Sequence, residues 1–168
     1  MSYSIHQASV PVFTRALGNL STILTKAEAY AEARKIDPAT LFGARLALDM
    51  LPLSGQIRIA CDTAKRGVSR LANVEPPAHP DTETSFAEFQ ARIASTIAYL
   101  ESLTPAQIEG AEARTITMQL PGRELNFDGA SFLGGFSLPN FFFHVSAAYM
   151  ILRHYGLEIG KMDFLGGL

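Results

Sequence analysis

One segment, residues 137–156, limits the folds open to this chain more than any other. It is the most apolar long stretch, it reads as a single helix, and Gly156 stands where a helix is usually stopped. Hydrophobic side chains occupy most of its circumference, with His144 set among them. A helix of that kind is a central element that must be covered on several sides, not a surface helix with one greasy stripe. The rest of the chain therefore has to supply amphipathic partners.

Three such partners are readable. The first helix begins near Ser4, which has capping-box spacing to Gln7, and carries Phe13, Leu17, Leu20 and Leu24 at helical intervals. Asp37 followed by Pro38 predicts the start of a second helix, since aspartate caps free amides and proline suits the first helical position. That helix is expected to run to about Gly67 or Leu71, kinked between Leu48 and Leu53 by Pro52. Pro76, Pro77 and Pro80 make residues 73–81 a surface connection, with His79 solvated. Ser85 and Glu88 form another capping box and open a third helix, inward-facing through Phe86, Phe89, Ile93, Ile97 and Leu100. A brief helical turn follows Thr104. Residues 114–120 and 124–127 alternate polar and apolar side chains about a turn at Pro121 to Arg123, which predicts a small hairpin. The apolar tail from Leu157 to Leu168 is expected to pack on the bundle or on a partner chain.

Four long helices joined by modest loops bury their faces best as a four-helix bundle, here with a hairpin between the third and fourth. The class is all-α. At 168 residues, with 48% hydrophobic and 18% charged residues and no linker or repeat, residues 1–168 form a single domain. A net charge of -2 supplies no electrostatic reason for a nucleic-acid or anionic-membrane partner. The N-terminus lacks the pattern of a signal peptide, and no apolar run has the length of a membrane span. With Cys61 the sole cysteine, a disulfide within the chain is impossible. The expectation is a soluble cytoplasmic protein.

The candidate chemistry centres on His144. Asn140, Ala147, Ala148, Ile151 and Tyr155 lie on its side of the helix, within about 60°. The two alanines leave space for a cavity. An imidazole there is either a functional group (a base, a single metal ligand or a ligand-binding hydrogen-bond group) or a core histidine satisfied by its neighbours. Asp49, Gln56 and Thr63 recur every seven residues on the second helix and share a face. Asp49 and Gln56 are thus the natural partners for His144, with Asp49 able to orient the ring as the acid does in a catalytic triad. Tyr149 can offer a hydroxyl to a pocket, or serve as a core or interface aromatic. His154 suits the negative end of the helix dipole. Cys61 is expected to be inert and buried, and Asp62 with Lys65 an exposed surface pair. No phosphate loop, nucleophile elbow or paired-histidine motif is present, and no two histidines are four apart.

The segments Leu48 to Leu53, Gln56-Ile57 and Ala60 to Lys65 resemble a family of bacterial domains of unknown function. Pro139 to His144, Ala148-Tyr149, Ile151 to His154 and Gly160 to Gly166 carry the same resemblance, which spans nearly the whole chain. That family belongs to the DinB/YfiT-like superfamily of metalloenzymes. The resemblance implies an up-down-down-up four-helix bundle, commonly a homodimer, with a pocket between helices two and four. Better-known relatives hold a divalent metal with one histidine from helix two and two from helix four, and some activate low-molecular-weight thiols. This sequence has no histidine on helix two, and the residue four after His144 is Ala148. The metal triad is not matched.

The resulting expectation is a protein that binds an unidentified small molecule through His144, Gln56, Asp49, Asn140 and Tyr149. Its best catalytic candidates are His144 and Asp49. No cofactor is predicted, and a divalent metal, if one bound, would use His144. The alternative is a metal-free structural or interaction protein, a dimeric bundle in which His144 and Asp49 form a buried polar lock. A divalent-metal or thiol-dependent transferase comes third.

Overall fold

The computed structural model describes residues 3–167. It is mostly helical with one small antiparallel hairpin. Helix α1 spans Ile5–Arg34, capped by the expected reciprocal bonds between Ser4 and Gln7, and its inward stripe from Val10 to Ala31 is buried. Pro11 lies inside the helix, past the free amides of its first turn, and the Gln7 carbonyl that loses its amide partner accepts instead from the Tyr3 hydroxyl at 3.0 Å. Helix α4 (Phe86–Ser102) has the predicted capping box between Ser85 and Glu88, and the short α5 (Pro105–Ile108) follows it.

The expected second helix is not kinked but broken. A short α2 (Pro38–Phe42), capped by Asp37, is followed by a loop over residues 43–52, and α3 (Leu53–Ala72) starts afresh. Pro52 sits at the N-cap of α3 in extended backbone. Its ring would clash with a preceding helical turn, and a cap position removes that clash where a kink only reduces it. Among the contacts that hold the loop, Leu53 N–H donates to the Ala44 carbonyl at 2.9 Å, and Phe42 of α2 packs on Phe86 and Phe89.

Strands β1 (Thr115–Leu120) and β2 (Arg123–Asp128) pair antiparallel, Thr115 opposite Asp128. A lone hairpin is marginal in water. This one buries Ile116 and Met118 and sets Phe127 beside Phe132 and Phe136. The glycine-rich residues after it are helical: α6 (Gly129–Phe132) and a wide π turn (Leu133–Ser137) lead directly into α7 (Leu138–His154).

Helix α7 is the central element the sequence indicates. Phe141 is fully buried and meets Phe13 of α1 edge-on at 4.8 Å, while at the other end the Tyr30 hydroxyl of α1 donates to the Tyr155 carbonyl at 2.9 Å. On its other flank α7 packs along α3, and α3 packs on α4, where the Ser69 and Tyr99 hydroxyls lie 2.7 Å apart. The tail packs back on the molecule. Helix α8 (Lys161–Leu165) docks on α1, through an ion pair of Asp163 with Lys26 and a bond from Asn19 to the Phe164 carbonyl at 3.0 Å. Leu168 lies outside the described residues. No described helix is long and apolar enough to cross a membrane.

Candidate functional site

The candidate site is the seam between α3 and α7. Gln56 and Thr63 share a face of α3, as their spacing predicts, and Asn140 and His144 share a face of α7. Asn140 Nδ2 donates to Thr63 Oγ1 at 2.9 Å, and His144 Nδ1 lies 2.7 Å from Gln56 Oε1. Farther along, Gly67 comes hard against the Ser137 hydroxyl, with no room for a side chain. The seam is therefore a ladder of polar contacts inside an otherwise apolar interface.

Its chemistry follows from the Gln56 amide. The Nε2 of Gln56 donates to the Leu51 carbonyl at 3.0 Å, so the end presented to His144 is the oxygen, which can only accept. The proton on His144 accordingly sits on Nδ1. Burial pushes the imidazole pKa below its ordinary value, which keeps the ring neutral near pH 7. Nε2 then carries a lone pair. Among the described residues it has no hydrogen-bond partner, yet it is not one of the sealed, unpartnered polar atoms, which are His79 Nδ1, Arg92 Nε and Ser137 Oγ. A neutral imidazole, held at Nδ1 by a relay from the Leu51 backbone, thus keeps an acceptor open at Nε2.

The other expected site residues do not converge here. Asp49 stands exposed on the loop before Pro52, so the pairing with His144 does not form, and Gln56 takes that role. The seven-residue spacing that linked Asp49 to Gln56 presumed a continuous helix, which Pro52 interrupts. Tyr149 is about 140° around α7 from His144 and packs edge-on against Phe164 of α8 at 5.7 Å. Ala147 and Ala148 are buried in packed interior, and a large cleft opens elsewhere, beside Leu138. His154 is exposed at the end of α7, as expected. Cys61 is buried, and burial pushes its thiol pKa up to about 12, so it is not a nucleophile at neutral pH.

A second polar cluster was not legible. The Arg92 side chain is only 2% exposed and is ringed by Asp62 at 3.0 Å, Asp81 at 3.0 Å and Glu83 at 2.7 Å, with the Pro80 carbonyl at 3.2 Å. Arg58 joins through Glu83, and Lys65 and Arg66 through Asp62. The expected exposed pair of Asp62 and Lys65 is thus part of a half-buried network, since Lys65 is almost fully covered. His79, expected in solvent, has a sealed Nδ1. The signal was an arginine at position 92, between Phe89 and Ile93 on the buried stripe of α4, followed in space by two carboxylates from a proline-rich connection.

The donor set does not fit the three-histidine metal centre that the resemblance implies. A protein metal site of that kind needs about three convergent side-chain donors. Here one imidazole nitrogen is committed to Gln56, the facing residue of α3 is an amide, and Ala148 has no donor. Among the described residues no three histidine, cysteine, aspartate or glutamate side chains are grouped to hold a metal.

Comparison with known proteins places the chain more closely. The family model "Domain of unknown function (DUF1993)" matches residues 5–165. A crystal structure described as a DinB family member protein from Shewanella denitrificans is 43% identical, with a TM-score of 0.88 over 98% of this chain and 93% of that one. No curated protein matches.

Proposed function

The chain belongs to the DUF1993 family and is DinB-like, and from that premise we propose that it binds a small molecule between α3 and α7, with His144 as the residue that touches it. The observation that carries this reading is the relay from the Leu51 carbonyl through Gln56 to His144 Nδ1, which orients the ring and leaves Nε2 as an open acceptor. A ligand with a hydroxyl, amide or ammonium proton would donate to Nε2. If the bound molecule reacts, the same atom takes that proton as a general base, and the uncharged state that burial favours is the state a base requires. No step is routed through a metal, because the side chains at the seam do not supply the donors.

The up-down-down-up bundle is part of the same reading. Phe13 with Phe141 and Tyr30 with Tyr155 support α1 and α7 running in one direction. Thr63 with Asn140 and Gln56 with His144 support α3 running against α7. Asp62 with Arg92 and Ser69 with Tyr99 support α4 running along α3.

A second reading, a metal-free interaction protein locked by His144 and Gln56, is favoured by the apolar side chains left in solvent nearby. Leu48 on the loop is 99% exposed, and Phe143, one residue from His144, is 57% exposed. A homodimer would cover them.

The test is a thermal-shift and NMR screen of hydrogen-bond-donating metabolites. Binders should move the ring resonances of His144 and lose their effect in His144→Phe, which keeps the volume but removes the acceptor. Binders that leave those resonances unmoved, or that stabilise His144→Phe equally, would remove the proposal. Absence of any binder together with a concentration-dependent dimer would favour the second reading.

A further inference from the structure

The large cleft lies away from His144, where the start of α1, α5 and the π turn before α7 come together, and its volume of about 930 Å³ is in the range of small-molecule pockets. Its floor is apolar, contributed by Ile5, Ile108, Leu133 and Leu138. Glu109 and Glu112 stand at its rim, and its lining residues include no lysine or arginine, His6 being the basic side chain among them. Neither carboxylate has a hydrogen-bond or ion-pair partner among the described residues, whereas most charged groups around Arg92 are paired.

An anion has nothing comparable to hold it. At the start of α1 the Gln7 amide already donates to Ser4 Oγ and the Ser4 amide to the Gln7 side chain, which leaves the Ile5 and His6 amides, a partial positive charge of about half a unit against two full carboxylate charges. The Tyr3 hydroxyl is likewise committed to the Gln7 carbonyl at 3.0 Å. Small residues keep the space open. A Cβ built at Gly134 would meet no other atom within 4 Å.

We infer that this cleft is a second binding site, separate from the His144 seam, for an organic cation with an extended apolar body, such as a long-chain or aromatic amine. The apolar body lies on Ile108, Leu133 and Leu138, and the ammonium group sits between the Glu109 and Glu112 carboxylates. Charge complementarity selects the head group, because the burial of an alkyl chain alone does not distinguish an amine from an acid of equal length.

Calorimetric titration of the full chain with decylammonium and with decanoate, both below micelle formation at pH 7, tests this. Decylammonium should bind about tenfold or more tightly than decanoate, a preference that rising salt should erode. Gly134→Leu should abolish decylammonium binding with little change in melting temperature, and Ala106→Leu is the second filling variant if the first fails to fold. Glu109→Gln with Glu112→Gln should weaken decylammonium about fivefold and leave decanoate unweakened or tighter, since the same change removes a repulsion. His144→Phe should alter neither titration, so failure at the seam and failure here are distinguishable. Equal affinity for the two amphiphiles, no binding to the unmodified chain, or undiminished binding in both filling variants would overturn the assignment.

Discussion

The protonation of one ring is decided by an amide one helix away. Because Gln56 spends its two ends on Leu51 and His144, the imidazole is fixed as the Nδ1–H tautomer, and no charged group offsets the desolvation that lowers its pKa. An NMR titration of the His144 ring should therefore give a midpoint below about 6.5, the ordinary histidine value. Gln56→Glu should raise it above that value, because a carboxylate at Nδ1 stabilises the imidazolium. A wild-type midpoint at or above 6.5 would show that the relay does not hold a neutral ring. Gln56→Leu should cost about 1–3 kcal/mol in a denaturant melt, since it strands the buried Nδ1–H and takes the partner from the half-buried Leu51 carbonyl. How far this was legible is clear from the same residues. The apolar surroundings of His144 and the recurrence of Gln56 and Thr63 are local facts of spacing, and the contacts of those two residues with α7 follow from them. That Gln56 and not Asp49 meets the ring depends on where α3 begins. Periodicity cannot settle that across a proline, because a kinked and a broken helix share the same stripe on either side.

Among elements, the contact of α3 with the π turn before α7 is a close approach that a double substitution should expose. Gly67 and Ser137 face each other so closely that a methyl group on position 67 must displace the Ser137 hydroxyl, while the Ser137 Cβ would stand at an ordinary 3.6 Å. That hydroxyl is buried and has no partner. Gly67→Ala alone should destabilise by about 1–3 kcal/mol through overpacking. Ser137→Ala alone should be neutral or slightly stabilising, as it removes an unsatisfied group. The two together should melt above the wild type, by about 1 kcal/mol, since alanine favours a helix interior over glycine by that amount. Additive effects in this double-mutant cycle would mean that the two positions do not share the space. The proline-rich connection is the opposite case, an element held by charge. Arg92→Ala should cost about 3 kcal/mol and open residues 73–85 to proteolysis, because it leaves Glu83 and Asp62 half-buried without their common partner. Arg92→Lys should not restore the wild-type value, because one ammonium cannot reproduce contacts made by two guanidinium nitrogens. Long-range pairings of this kind leave almost no periodic trace, so the hairpin and the capped helices were readable whereas the network was not.

For the molecule as a whole, these local arrangements combine into a stability that depends on pH in two separate ranges. Burial lowers the pKa of His144, and burial followed by the nearby Lys65 and Arg92 charges lowers that of His79. Each ring binds a proton less readily folded than unfolded. As pH falls below about 6.5 the unfolded chain therefore takes up protons first, and stability declines until the folded rings titrate as well. Carboxylates act lower on the scale. Asp163 is held below its ordinary range by the Lys26 hydrogen bond and the Gly160 amide. Glu83 is lowered too, because bonds from Arg92 and Arg58 outweigh a burial that acts the other way. Their contribution is complete above about pH 4.5 and is lost as pH falls through the depressed folded values. Thermal melts between pH 8 and pH 3 should thus show a plateau above pH 7, a first decline beginning near 6.5 and a second below about 4.5. His79→Gln combined with His144→Phe should flatten the first decline and leave the second in place. Asp163→Asn should do the reverse in part, with its loss appearing at neutral pH as a lower plateau and a shallower acid limb. A single decline centred near pH 4 in the wild type would mean that neither histidine is held neutral by the fold, and would withdraw the open acceptor on which the His144 site depends.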